Sequence, residues 1–162
     1  MRNSIYIIIG FVSALIEAAV HISLYGIGIE FAVVSIIGLS LFFAGNKSAG
    51  TYIMLAGAIV LDLFSPYRFG LFLTTTVIIL YLAQTLFSRN IDPGNPVMTF
   101  FMMLGAFIFL HFFEFLGDPI ITVLVATAVL NALCATACTL LWVRIPIFHD
   151  ASIIVSKDVR IR

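Results

Sequence analysis

Residues Leu61–Phe72 read LDLFSPYRFGLF. An acid (Asp62), a proline (Pro66), a base (Arg68) and a glycine (Gly70) fall close together, with apolar sequence on both sides. Proline and glycine interrupt a helix and mark a turn. The stretch therefore reads as the tip of a helical hairpin, one helix ending near Asp62 and the next opening at Gly70-Leu71. Asp62 then sits at the C-terminal end of a helix, where the helix dipole disfavours an anion. Two kinds of partner are open to it. Arg68 can fold back across the turn, or Ser65 and the backbone N–H groups beyond the break can bond the carboxylate as a cap for the following helix. Either way the charges pin a sharp re-entry turn, with Asp62, Ser65, Pro66 and Gly70 as its motif.

The rest of the chain explains why such a turn is needed. Of 162 residues, 62% are hydrophobic and only 10% charged, and the mean hydropathy is +1.20. A water-soluble domain carries roughly a quarter charged residues. A chain of this size cannot hide so much apolar surface in one globule, so its solvent is lipid and its expected class is an all-α integral membrane protein. Net charge is zero, which leaves no basic patch for nucleic acid. Cys134 and Cys138 lie in an apolar run. Their CxxxC spacing is neither a redox CxxC nor a zinc knuckle, and they read as small packing residues on one helix face. The N-terminus starts basic and turns apolar, but the run continues through Glu17 without a small-x-small cleavage pattern. It reads as a retained span.

A helix needs about 20 apolar residues to cross a bilayer. Six candidate spans are expected, near 5–26, 30–45, 51–64 (the shortest in prospect), 70–87, 97–116 and 119–143. Gly45-Asn46-Lys47-Ser48 reads as a turn, Arg89–Pro96 is the most polar loop, and Gly117-Asp118-Pro119 is a tight turn before a helix. With the N-terminus inside, Arg2, Lys47, Arg89, Arg144, Lys157, Arg160 and Arg162 fall on the cytoplasmic side and Arg68 alone on the other. That asymmetry fits the positive-inside rule, and merging two spans would destroy it. The expectation is a six-helix transmembrane domain over 1–144, both termini cytoplasmic, with a short tail over 145–162 whose basic residues suit anionic headgroups.

A charge near the bilayer centre costs at least about 2.5–3.5 kcal/mol, so buried ionisable groups normally face protein or water. Glu17, His21, Asp62, His111 and Glu114 are such groups, and with Arg68 they form the candidate binding or structural cluster. The topology gathers them in the outer half of the bundle. Glu17 and His21 share a helix face at i,i+4, and His111 and Glu114 at i,i+3. Carboxylate with imidazole suits zinc or iron. The simpler expectation is a hydrogen-bonded polar cluster that fixes helix packing, with no cofactor and no resident metal. Haem ligation by His21 and His111 is the remaining redox possibility. No serine has a His and acid pattern around it, and nothing resembles a phosphate-binding loop, so catalysis is not expected.

Small residues recur at helix spacing in Ala14/Ala18 and Ala128/Ala132, and Gly57 follows Gly50 by two turns. Such residues let helix backbones approach closely, within the bundle or against another membrane subunit. The phenylalanine-rich fifth span, FFMMLGAFIFLHFFEF, is bulky around its circumference. It is expected to face lipid over much of its surface, with Gly105, His111 and Glu114 as contact points.

The segment Gly57–Leu71, GAIVLDLFSPYRFGL, with Tyr81-Leu82 in the span that follows, resembles the rod shape-determining protein MreD family. That family shows a glycine, an aspartate ending the third span, a Ser/Pro turn and Gly-Leu opening the next. Arg68 departs from it, standing where a proline or small residue is usual. The resemblance covers about 25 residues by motif and the whole chain by architecture. It implies a non-enzymatic subunit of the bacterial cell-elongation machinery in the inner membrane. Such a subunit binds MreC, a bitopic protein, and connects through it to MreB filaments and to peptidoglycan synthesis by RodA and its transpeptidase. The MreD family is also similar in fold to the substrate-binding S component of energy-coupling factor transporters. An S-component-like bundle would instead carry an outward pocket for a vitamin or metal ion and dock a coupling subunit through a face such as Ala14-x-x-x-Ala18. The short outer connections favour the scaffold.

Overall fold

The computed structural model describes residues 2–24, 30–65, 70–87, 95–114 and 121–145. Six helices and no strand occur among them: α1 (Arg2–Leu24), α2 (Val33–Phe43), α3 (Lys47–Phe64), α4 (Leu71–Leu82, continued by a π-helical turn Ala83–Phe87), α5 (Pro96–Glu114) and α6 (Ile121–Arg144). Stretches of α1, α3 and α6 (Asn3–Val20, Lys47–Phe64 and Val123–Arg144) are long and apolar enough to cross a membrane. The described helical segments of α2, α4 and α5 are apolar but shorter.

The helices are arranged around α2, which packs against α1, α3 and α6. Nine of its eleven residues are buried, including Ser35 and Ser40. A helix that is apolar on every side belongs inside a bundle, and VVSIIGLSLFF is such a sequence. At 11 residues it rises about 16 Å, roughly half the hydrocarbon thickness. The expected second span over 30–45 thus holds a short helix buried at the centre of the bundle. α3 packs on α1, α2 and α4, and α6 on α5 and α2. The main core joins Ile36, Leu39, Phe42, Met54, Ile79, Leu80, Met103, Phe107, Ala128, Ala132 and Ala135 from five of the helices, with Cys134 and Cys138 packed against it.

Glycines bring α1, α2 and α3 together. A Cβ added to Gly50 would lie 2.5 Å from the Gly38 carbonyl oxygen, and one on Gly10 would lie 2.6 Å from the Ile53 carbonyl oxygen. A Cβ on Gly57 would overlap the Val34 side chain. The backbones are close enough that dispersion contacts form without side chains between them.

The turn between α2 and α3 differs from the sequence expectation, because Lys47 and Ser48 are its first helical residues rather than loop. Gly45 takes φ +104°. The Gly45 N–H reaches the Phe42 carbonyl and the Asn46 N–H the Leu41 carbonyl, the paired bonds of a Schellman ending. Asn46 then caps the next helix, its Oδ1 accepting from the Ala49 N–H at 3.1 Å. One asparagine closes α2 and opens α3 with no loop between, so α3 is 18 residues long instead of the short span expected.

The α5 helix is exposed over much of its surface and makes contact at His111, as expected, and departs from expectation at Gly105. Thr99, Met103, Phe107, Leu110 and His111 are buried, while Val97, Phe101, Ile108 and Phe112 on other faces are exposed. Gly105 is exposed and a Cβ there would meet nothing within 4 Å. It is therefore no contact point within this chain, contrary to the sequence reading.

Candidate functional site: a polar end that caps buried helices

The C-terminal part of α1 and the ends of α3 and α5 lie at one end of the bundle, together with the starts of α2, α4 and α6. Cross-helix bonds tie these segments together: Glu17 to Val34, Asp62 to Phe72 and Leu73, and Asn131, well inside α6, to both Ala32 and His111. At the opposite end Asn46 bonds Tyr6, Asn3 bonds Tyr52, and the Trp142 indole donates to Ser40 Oγ at 3.0 Å.

The first turn of a helix presents N–H groups that have no partner within the helix. At the opposite end asparagines of the local sequence satisfy them, Asn46 for α3 and Asn95 for α5, the latter accepting from Val97 and Met98 N–H with Pro96 following it. At the polar end the capping residues are Ala32 for α2 and Gly70 for α4. Neither has a side chain that can accept. A carboxylate from the preceding helix does so instead. Asp62 accepts from the Phe72 N–H on one oxygen and the Leu73 N–H on the other, both at 3.0 Å. Glu17 Oε2 accepts from the Val34 N–H at 2.8 Å. The position that disfavours Asp62 on its own helix is offset by the positive dipole end of the next. Gly70, with φ +95°, sets the angle at which α4 departs.

The backbone amides of α4, one of the two partners the sequence left open, bond Asp62. It is 3% exposed. Ser65 closes α3 in extended conformation, its N–H on the Leu61 carbonyl. Pro66 and Arg68 lie outside the described residues, as do the side chains of His21 and Glu114 and the segments 88–94, 115–120 and 146–162. The structure brings Glu17 and His111 to the same place, the start of α2, and puts Asp62 at the start of α4.

The residue that joins Glu17's helix start to His111 is Asn131, fully buried on α6. Its Oδ1 accepts from the Ala32 N–H at 3.4 Å, and its Nδ2 donates to the Glu30 carbonyl at 2.9 Å. Those two backbone partners fix which way the amide faces. Its Nδ2 also lies 3.0 Å from His111 Nε2. The ring is 1% exposed and stacks on Phe107, centroids 6.3 Å apart. Asn131 was not among the residues singled out because it carries no charge. Its signal was available as the single carboxamide in an otherwise apolar ITVLVATAVLNALCATACTLLWV. An unpaired amide in that setting would cost several kcal/mol, in the range of about 2–7.

Among the described residues no group of three or more His, Cys, Asp or Glu side chains is placed to hold a metal. Thr99 and Thr127 hydroxyls are buried without a hydrogen-bond partner. The chain has no match among protein-family models, characterised proteins or solved structures.

Proposed function

We propose that this protein is a non-enzymatic scaffold subunit of the bacterial inner membrane, with six spans and both termini in the cytoplasm, and that it presents a rigid extracytoplasmic end to a bitopic membrane partner. On the resemblance to the MreD family, that partner is an MreC-like protein, linking the subunit to MreB, RodA and a transpeptidase in the cell-elongation complex. The observation that carries this reading is the employment of the polar side chains. The Glu17 carboxylate, the Asp62 carboxylate and the Asn131 amide bond to the backbone at the starts of α2 and α4. A pocket for a small ligand needs convergent polar groups turned toward a cavity. Groups engaged in capping instead stiffen the end of the bundle, which suits a docking surface by reducing the ordering cost of association.

The test is co-purification of the tagged protein from membranes with defined partners co-expressed. Recovery of an MreC-like protein in stoichiometric amount is expected. Recovery with a coupling subunit and its ATPases, or with a bound vitamin, would replace the scaffold with the transporter S component.

A further inference from the structure

We infer that the starts of α1 and α3 together bind the headgroup of an anionic phospholipid. The two helices pack closely, with Gly10 over Ile53, and both begin at the end of the bundle away from the capping carboxylates. Lys47, the first residue of α3, is exposed there. Among the described residues no carboxylate pairs with its ammonium. Glu17, Glu30 and Asp62, the acidic residues whose side chains are described, belong to the other end. The field at the α3 start is therefore that of an uncompensated cation.

Uncharged donors surround that cation. Asn46 Oδ1 is used on the Ala49 N–H, so its Nδ2 bonds the Tyr6 hydroxyl at 3.4 Å. Asn3 Nδ2 reaches the Tyr52 hydroxyl, also at 3.4 Å. Each phenol receives a bond and keeps its own hydrogen to donate. Ser48, one turn before Tyr52 on the same exposed face of α3, adds a further hydroxyl. A phosphodiester oxygen only accepts, and charge-assisted bonds from such a set are the strong ones. The apolar half of the ligand has its place as well. Ile5, Ile8 and Ile9 are exposed along α1 just beyond Asn3, where acyl chains would lie. Tyr6 packs with Trp142 against Leu41, Ala49 and Ile53, and tyrosine and tryptophan favour headgroup depth. A phosphate level followed by an acyl level is the order of a phospholipid, and free phosphate would use only the first. Arg144 is exposed at the same end on α6, which packs on α5 and α2, and serves as the comparison cation.

The test is native mass spectrometry of the full chain, delipidated in a neutral detergent and titrated with short-chain phosphatidylglycerol or phosphatidylcholine. It needs neither a protein partner nor a membrane orientation, so its outcome is separate from that of the scaffold reading. The wild type should hold a single phosphatidylglycerol at least about fivefold more tightly than phosphatidylcholine, and Lys47→Gln should abolish that preference. Tyr52→Phe leaves the charge unchanged and should weaken phosphatidylglycerol at least about threefold, while Arg144→Gln should bind as the wild type does. Unfolding midpoints of the variants without lipid should match the wild type, because the substituted positions are exposed. No preference for phosphatidylglycerol in the wild type would overturn the site. Equal losses in Lys47→Gln and Arg144→Gln, or a silent Tyr52→Phe, would overturn it too, since either outcome describes diffuse attraction. Displacement of the bound lipid by an equal concentration of inorganic phosphate would overturn the lipid as its ligand.

Discussion

The Glu17 carboxylate on α1 accepts the backbone N–H of Val34 in the first turn of α2 at 2.8 Å. One helical hairpin later Asp62 on α3 does the same for Phe72 and Leu73 on α4. In both cases the capping residue of the receiving helix, Ala32 or Gly70, has no side chain able to do so. The first amides of a helix have no partner within it, so the acid on the neighbouring helix becomes part of the backbone's hydrogen bonding.

Replacing Glu17 separates charge from acceptor. Glu17→Gln keeps an oxygen for Val34 and loses the favourable interaction with the α2 dipole, about 0.3–1 kcal/mol. Glu17→Ala also leaves the amide unpaired, about 1–3 kcal/mol. Thermal unfolding of the purified variants should therefore rank wild type, Gln, Ala in falling midpoint. A Gln variant as unstable as the Ala variant would mean that the bond to Val34 contributes nothing.

Asp62→Ala removes two bonds to a buried carboxylate and is expected to cost about 2–3 kcal/mol. Asp92→Ala, in the polar loop between the fourth and fifth spans, is expected to be close to silent. Unfolding midpoints and yield from membranes give the comparison, and equal losses for the two variants would count against the capping role of Asp62.

Two glycines should respond in opposite directions. Gly50→Ala pushes a methyl group against the Gly38 carbonyl and should separate α2 from α3, lowering the unfolding midpoint. Gly105→Ala adds a methyl group where nothing lies within 4 Å, so the gain in helix propensity, about 0.5–1 kcal/mol, should raise it. Destabilisation by Gly105→Ala in the isolated protein would show that this face of α5 is packed after all.

Much of this architecture is legible in the residues. The apolar runs mark the helices, and Asp62 before Ser-Pro and Gly-Leu marks the hairpin tip because breakers and charge coincide there. The capping alternative for Asp62 could be written down but not chosen, since Arg68 and the more distant α4 amides are both within reach across a tight turn. Lys47 and Ser48 are polar and so resemble loop. Only the double use of Asn46, closing one helix and opening the next, puts them in α3. Gly105 looked like a packing residue by type, but which face of a uniformly bulky helix turns inward is decided by its neighbours, α4 and α6. Asn131 is a neutral amide and carries no charge signal in the sequence, although its donor and acceptor both bond the backbone just ahead of α2.

The claim on which the rest depends is that the chain threads the bilayer so that the hairpin tip at Ser65 and the start of α5 at Asn95 face opposite compartments. It is tested most directly with single cysteines, Ser65→Cys and Asn95→Cys, each in a Cys134→Ala/Cys138→Ala background, and a membrane-impermeant thiol reagent applied to sealed membranes of known orientation. The account predicts that position 65 is labelled from the extracytoplasmic side and position 95 only after the membrane is opened. Labelling of both positions from the same side of intact membranes would contradict it.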